Sequence, residues 1–162
     1  MSFSKLSIRP YCPADQDFLR EMQYEALFVP EGAKPFPRNI LEEPNIRKYY
    51  AEFSEEGDHA FLAEMDHQPI GAVWARSFTE TKPGYGFVAS DIPELSIALS
   101  KNFTGKGIGS KLMETMIDHL KANGYRAVSL SVDRNNPAMR IYERLGFEVF
   151  KEEGNPTMVK WL

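Results

Sequence analysis

The pattern of apolar and polar positions predicts alternating strands and helices along the first half of the chain. Short runs that end at prolines or turn residues indicate strands, and apolar residues at helical spacing indicate two helices. From Asp15, the predicted N-cap of the first helix, the apolar side chains are Phe18, Leu19, Met22 and Ala26. The predicted elements are a strand at 6–9, a helix from Asp15, a loop at 29–42, a helix from Pro44, hairpin strands at 60–65 and 70–78, and a loop at 79–91.

The second half has a more regular pattern. Apolar residues four apart (Ile108, Leu112, Met116, Leu120) predict a long helix, and Gly124 can take the left-handed conformation that ends it. The predicted elements are a strand at 94–100, a glycine-rich turn at 104–109, a helix to Asn123, a strand at 127–132, a helix from Pro137 to Gly146, and strands at 147–150 and 157–162.

The element order β-α-α-β-β-β-α-β-α-β-β predicts the fold class. The strand, helix and strand across residues 94–132 should form a right-handed crossover between two parallel strands. The hairpins on either side imply antiparallel pairs. We therefore expect an α/β (α+β) fold over residues 1–162 as a single domain, with a mixed sheet of about seven strands and helices on both faces.

Composition and charge exclude several functional classes. The 162 residues are 43% hydrophobic and 26% charged, which is typical of a soluble globular protein. A net charge of −4 without a cluster of Lys and Arg argues against nucleic-acid binding, and no apolar run is long enough to cross a membrane. The N-terminus lacks a signal-peptide pattern, and the single cysteine, Cys12, suits a reducing compartment, so we expect a cytoplasmic protein. His59, His67 and His119 lack ligand spacing, so we expect no metal.

A glycine-rich turn is the first candidate for a binding site. Gly105, Gly107 and Gly109 lie between a predicted strand and a predicted helix, where backbone amides and the helix start favour a phosphate or pyrophosphate. The alternative is a tight turn that binds nothing. The spacing fits neither a Walker A loop nor the dinucleotide fingerprint.

Two segments carry a resemblance to a known family. The stretch 94–117, ELSIALSKNFTGKGIGSKLMETMI, resembles the Arg/Gln-x-x-Gly-x-Gly/Ala motif of GNAT acetyltransferases, with Thr104 where the family has Arg or Gln. Residues 135–147, NNPAMRIYERLGF, resemble the family's Asn-x-x-Ala-x-x-x-Tyr-x-x-Leu-Gly-Phe signature. The resemblance implies a GNAT-type sheet, mostly antiparallel, in which the central parallel strands splay apart.

The resemblance also implies acetyl-CoA as co-substrate. Amides at 105–109 would hold the pyrophosphate, and backbone near Ile97 and Leu99 would bind the pantetheine arm. Either Asn135 or Asn136 would contact the cofactor, and each is also a plausible helix cap; Lys106 and Lys111 would either neutralise phosphates or stay solvated. The expected cofactor-binding residues are Ile97, Ala98, Leu99, Thr104, Gly105, Lys106, Gly107, Ile108, Gly109, Ser110, Asn135, Asn136 and Tyr142.

Two residues are candidates for the acid–base chemistry. Tyr142 matches the signature tyrosine and would protonate the leaving sulfur, although its position also suits packing on the sheet. Glu94 opens the strand where many members of the family place a base for the amine. A solvated Glu94 is the alternative, with Asp91, Ser96 or a water chain as substitutes.

The resemblance predicts an N-acetyltransferase that acts on a primary amine of a small molecule or peptide by direct transfer in a ternary complex. The alternative is a non-catalytic acetyl-CoA-binding sensor or interaction module. The acceptor would lie between the loops 29–42 and 79–91, where Glu31, Phe36, Tyr85 and Phe87 are candidate lining residues. A homodimer is common for the fold, but no sequence feature establishes it.

Overall fold

A computed structural model describes residues 5–54 and 56–162. The described residues include four α-helices: Gln16–Ala26 (α1), Pro44–Arg47 (α2), Ile108–Ala122 (α3) and Ala138–Arg144 (α4). They also include seven strands: Leu6–Pro10 (β1), His59–Met65 (β2), Gln68–Arg76 (β3), Glu94–Leu99 (β4), Ala127–Ser131 (β5), Glu148–Lys151 (β6) and Thr157–Trp161 (β7).

The strands form one mixed sheet in the order β1-β2-β3-β4-β5-β7-β6. Among the described residues, only the central pair of strands, β4 and β5, is parallel, and every other pair of neighbouring strands is antiparallel. The chain passes from β4 to β5 through α3, because parallel neighbours need a crossover connection. The predicted fold class is therefore confirmed, and the parallel pair lies where the sequence places it.

Apolar side chains are buried on both faces of the sheet. On one face Leu112, Met116 and Leu120 of α3 pack with Leu95 and Leu130. On the other face, Leu19 and Met22 of α1 pack with residues that include Leu41, Tyr50 and Trp74. Burying one such side chain contributes about 1.5–3 kcal/mol, so the packing on both faces stabilises the central strand β4.

The second helix, α2, is shorter than its apolar pattern suggests. It ends at Arg47, and the chain continues through hydrogen-bonded turns. Trp74 Nε1 donates to the carbonyl of Tyr49 at 3.0 Å, and Arg76 donates to the carbonyls of Lys48 and Ala51 at 2.8 and 2.6 Å. In a longer helix these carbonyls would accept hydrogen bonds from backbone N–H groups, but here they accept them from side chains of β3. Tertiary contacts therefore override the local helical pattern.

Asp15 precedes α1 as predicted, but its carboxylate does not cap that helix. One oxygen accepts the Cys12 N–H at 2.9 Å, and Arg9 donates to both oxygens at 2.8 and 2.9 Å. The guanidinium holds the pKa of Asp15 down at about 2. The side chain therefore stabilises the 3₁₀ turn at Pro13–Asp15 and ties it to β1.

Candidate active site

The parallel strands β4 and β5 separate soon after they meet. Their single paired position joins Glu94 to Ser129, and the Ser129 N–H donates to the Pro93 carbonyl at 2.9 Å. Beyond this point the described residues of the two strands form no further pair. A gap therefore opens in the middle of the sheet toward the carboxyl end of β4.

The backbone of β4 alternates between β3 and this gap. The Ser100 N–H donates to the Ile70 carbonyl at 2.8 Å, and Ala98 lies opposite Ala72 in the antiparallel register. Hydrogen-bonded pairs alternate along such a ladder, so the backbone of Ala98 faces β3. The N–H and C=O groups of Ile97 and Leu99 then point the other way, into the gap. Of the three β4 residues predicted to bind the cofactor, these two present backbone groups there.

The glycine-rich turn leads into the first turn of α3. Gly105 and Gly107 have φ of +74° and +79°, a region that other residues enter at a cost of roughly 1–2 kcal/mol. A Cβ atom on either glycine would meet nothing within 4 Å, so the strained conformation, and not crowding, calls for glycine. Thr104 Oγ1 donates to the Lys101 carbonyl at 3.1 Å and is thus engaged within the turn.

The other predicted residues of this segment lie around the same turn. Ile108 is buried and begins α3, and Gly109 and Ser110 follow in its first turn. The Lys106 ammonium lies 5.7 Å from the ring centroid of Phe103. The amides at the start of a 15-residue helix carry partial positive charge, which favours an anion at this end.

A cavity of about 490 Å³ joins the two predicted catalytic residues. Glu94 and Tyr142 both line it, together with Ile97 of β4. Asn136 also lines the cavity, and its Oδ1 accepts the Ala138 N–H at 3.0 Å as a cap for α4. Asn135 is not among the lining residues, so the geometry favours Asn136 in the choice that the sequence left open.

Glu94 lies at the start of β4 on the face covered by α1 and α2. Its side chain is buried, with 4% of the residue exposed, and one oxygen, Oε2, accepts the Tyr49 hydroxyl at 2.6 Å. Burial raises the pKa of Glu94 to about 7, although the Tyr49 hydrogen bond, the Gly86 backbone and the charge of Lys48 act in the opposite direction. A carboxyl with this pKa can accept a proton at neutral pH and is suited to act as a general base.

Tyr49 and Gly84 hold the carboxyl of Glu94 in place. The Tyr49 oxygen accepts the Tyr85 N–H at 2.7 Å, so the hydroxyl proton is directed to Glu94. A Cβ atom on Gly84 would lie 2.1 Å from Glu94 Oε1, which leaves room for hydrogen only. The segment 84–86 therefore packs against the carboxyl, and it is held to β5 because the Ser129 hydroxyl donates to the Gly86 carbonyl at 2.7 Å.

Tyr142 lies on α4 beside the core of the other face. Its ring centroid is 6.1 Å from that of Phe147, so the side chain also packs as the helical pattern predicts. Burial raises the pKa of the phenol to about 12. The hydroxyl is therefore protonated at neutral pH and can donate a proton to a basic leaving group in the cavity.

The remaining candidates divide between the cavity and the surface. Ser96, Phe36 and Tyr85 line the cavity, whereas Glu31 and Phe87 do not. Asp91 is exposed and forms an ion pair with Arg126 at 2.6 Å, which removes it as a substitute base.

The structure brings two of the histidines together. His59 Nδ1 lies 2.9 Å from His119 Nε2, although the residues are 60 positions apart. Within 5–54 and 56–162, no group of three or more His, Cys, Asp or Glu side chains is arranged to hold a metal ion. The expectation of no metal stays a prediction.

Two residues that line the cavity escaped the sequence reasoning. Tyr49 carried an apolar signal only, because its hydroxyl meets Glu94 from 45 positions away. Gln23 lies on the buried side of α1, lines the cavity and is 5% exposed. A polar residue among Leu19, Met22 and Ala26 was the signal that could have singled it out.

Comparison with known proteins gives relatives in sequence and in structure. The sequence is 34% identical over 145 residues to a mycothiol acetyltransferase of Streptomyces coelicolor, which covers 88% of this chain and 42% of that protein. It is 38% identical over 71 residues to a mycothiol acetyltransferase of Corynebacterium glutamicum strain R, covering 41% of this chain and 24% of that protein. The chain therefore spans less than half the length of these curated relatives.

Solved structures share the fold at low sequence identity. The PaiA N-acetyltransferase from Thermoplasma acidophilum, in complex with coenzyme A, matches with a TM-score of 0.68 and 18% identity over 98% of this chain and 99% of that chain. A GNAT superfamily phosphinothricin acetyltransferase from Sinorhizobium meliloti, in complex with AcCoA, matches with a TM-score of 0.70 and 20% identity over 97% and 88% of the two chains.

The described helices include none that is long and apolar enough to cross a bilayer. The sequence matches the Acetyltransferase (GNAT) family over residues 18–147, which is most of the chain and includes the glycine turn and the whole of the second motif. The chain belongs to the GNAT acetyltransferase family.

Proposed function

We propose that this protein transfers the acetyl group of acetyl-CoA to a primary amine of a small molecule or peptide by direct transfer in a ternary complex. The observation that carries the proposal is the gap between β4 and β5, together with the cavity that brings Glu94 and Tyr142 to one space. A base and an acid on either side of a cleft are what amine acylation requires.

The residues around the gap fit acetyl-CoA. Among residues 5–54 and 56–162, no strand pairs with the backbone groups of Ile97 and Leu99 on the side of the gap, so these groups can pair with the amides of the pantetheine arm. The turn at 105–109 lies at the start of α3, where its amides would hold the pyrophosphate. The thioester supplies an activated acetyl group beside Tyr142.

Each catalytic side chain has one task in this proposal. Glu94 accepts a proton from the incoming ammonium, which frees the nitrogen lone pair to attack the carbonyl carbon. The new carbon–nitrogen bond forms while the carbon–sulfur bond breaks, and the Tyr142 hydroxyl gives its proton to the sulfur. The acylated nitrogen then loses its second proton to solvent, and the Tyr142 phenolate takes a proton back from solvent. Tyr49 donates to Glu94 Oε2 and so fixes the orientation of the carboxyl, which makes it a positioning residue.

The test is thioester consumption in the presence of a panel of primary amines, with acetyl-CoA affinity measured by calorimetry. We expect acetyl-CoA to bind and CoA to be released in proportion to acetylated amine. Glu94→Gln should lower kcat/KM by ~10²–10⁴-fold. Binding of acetyl-CoA without turnover on any amine would contradict the proposal and favour the binding module.

The location and assembly of the protein belong to the same proposal. A cytoplasmic location and a homodimer stay predictions. Light scattering at micromolar concentration measures the assembly directly, and a mass near 18.5 kDa would contradict the homodimer.

A further inference from the structure

Tyr85 combines a firmly held backbone with an exposed side chain. Its N–H donates to the Tyr49 hydroxyl oxygen at 2.7 Å, and its carbonyl accepts the Thr157 hydroxyl at 3.4 Å. The residue is nevertheless 60% exposed. Stabilisation by apolar burial grows with the area removed from water, so packing in the core does not explain a large aromatic side chain at this position.

The residues on either side of Tyr85 are glycines that fit closely against the sheet. A Cβ atom on Gly84 would lie 2.1 Å from Glu94 Oε1, and one on Gly86 would lie 2.7 Å from the carbonyl carbon of Leu130. Both positions therefore need a residue without a side chain, because the segment approaches β4 and β5 so closely. This close approach carries Tyr85 to the cavity, where it is one of the lining residues.

The ring of Tyr85 lies near the proposed base. Its plane is within 8° of that of the Tyr49 ring, and the two ring centroids are 6.3 Å apart. Tyr49 is itself buried and donates to Glu94 Oε2 at 2.6 Å. Only one aromatic side chain therefore separates the Tyr85 ring from the carboxyl of Glu94. Of the two tyrosines, Tyr85 is the one whose surface is open to a ligand.

The rest of the cavity limits what that ligand can carry. The lining residues include Phe28, Phe36 and Ile40, and Phe36 is also exposed. Among the described residues that line the cavity, only Glu94 and Asp133 are acidic, and none is Lys or Arg. A carboxylate or phosphate in this space would be desolvated without a counterion, whereas an apolar body would gain contacts.

We propose that Tyr85 contacts the acceptor and determines its class, which is a primary amine with an aromatic body and no carboxylate or phosphate. The aromatic body packs on the Tyr85 ring while the amine reaches Glu94. This inference rests on the proposed acetyltransferase function and names the substrate class of the same site.

The experiment compares primary amines that share an ethylamine unit and differ in the group attached to it. The full chain is assayed with phenethylamine, cyclohexylethylamine, ethylamine and a phenethylamine that carries a carboxylate on the ring, and kcat/KM is measured for each. Each buried methylene contributes about fourfold, so phenethylamine should exceed ethylamine by at least ~100-fold. It should exceed cyclohexylethylamine by about 2- to 10-fold, the effect of a pair of aromatic rings. The carboxylate compound should be at least ~10-fold poorer than phenethylamine.

Three variants test the role of Tyr85 itself. Tyr85→Leu keeps an apolar side chain and removes the ring, so the ratio of kcat/KM for phenethylamine over cyclohexylethylamine should fall to about onefold. Tyr85→Phe keeps the ring and should keep the ratio. Phe150→Leu makes the same chemical change at an exposed position of β6 outside the cavity and should also keep the wild-type ratio. Each ratio compares two substrates on one protein, so a smaller fraction of folded protein does not change it.

The outcomes separate this inference from the proposed function. Equal kcat/KM for phenethylamine and cyclohexylethylamine in the wild type would overturn the inference and leave the acetyltransferase function intact. A wild-type preference for the carboxylate compound, or a ring preference that survives in Tyr85→Leu, would also overturn it. Absence of acetylation with every amine, despite bound acetyl-CoA, would overturn both.

Discussion

The buried carboxyl of Glu94 makes the stability of the protein depend on pH in a predictable way. Its pKa is about 7 in the folded protein and near 4.5 in an unfolded chain. Between these values the folded state binds the proton and the unfolded state does not, so the free energy of unfolding falls as the pH rises. Burial is the main cause of the raised pKa, so ionising Glu94 lowers the free energy of unfolding. This loss of stability is present in full above pH 7 and absent below pH 4.5, the pKa of Glu94 in an unfolded chain.

The size of the effect follows from the same two values. At about 1.36 kcal/mol per pKa unit, a rise from 4.5 to about 7 makes ionisation of Glu94 cost about 3 kcal/mol in the folded state. The variant Glu94→Gln keeps the shape of the side chain and cannot ionise. The free energy of unfolding of the variant should therefore lack this part of the pH dependence. The difference in free energy of unfolding, variant minus wild type, should be larger at pH 8 than at pH 4.5.

Urea unfolding at a series of pH values measures this difference. Tryptophan fluorescence reports on the core, because Trp74 is 1% exposed and packs on the same face as Glu94. Comparison of wild type and variant at each pH cancels the contributions of all other groups. Parallel stability curves for the two proteins between pH 4.5 and 8 would refute the assignment of a raised pKa to Glu94.

Three further predictions concern the other parts of the site and the opposite edge of the sheet. Tyr142→Phe removes the proton donor, so kcat should fall by ~10²–10⁴-fold while acetyl-CoA affinity stays within about threefold; an unchanged kcat would contradict its role as acid. Gly107→Val forces a branched residue to a φ of +79°, so calorimetry should show acetyl-CoA affinity at least about tenfold lower, and wild-type affinity would show that the turn does not hold the cofactor. Burial and the nearby His119 lower the pKa of His59, so the folded state favours its neutral form and loses stability as the pH falls below about 6.5; His59→Gln should reduce this loss in thermal unfolding between pH 7 and 5, and an undiminished loss would contradict it.

Regular periodicity made much of the fold predictable from sequence. The four-residue spacing of Ile108, Leu112, Met116 and Leu120 gave α3, and all four side chains are buried. The apolar pattern predicted the length of α2 wrongly, because Trp74 and Arg76 donate hydrogen bonds to carbonyls of the residues that follow the helix. These hydrogen bonds depend on tertiary structure, which a local pattern does not record.

The candidate site could be predicted only in part, because some of its residues belong to local motifs and others come together only through long-range packing. Motifs located Tyr142 and the glycine turn, and position along the chain suggested Glu94. The face on which Glu94 lies depends on strand register, and only the pairing of Glu94 with Arg76 and Ser129 settles it. The hydrogen bond from Tyr49 and the unpaired oxygen of Gln23 arise from long-range packing, which no local sequence pattern records.

A crystal structure with bound acetyl-CoA tests the central claim most directly. We expect the pantetheine arm in the gap between β4 and β5, hydrogen-bonded to the backbone of Ile97 and Leu99, with its sulfur within hydrogen-bond reach of the Tyr142 hydroxyl. A cofactor bound elsewhere, or a gap closed by direct pairing of the two strands, would contradict it.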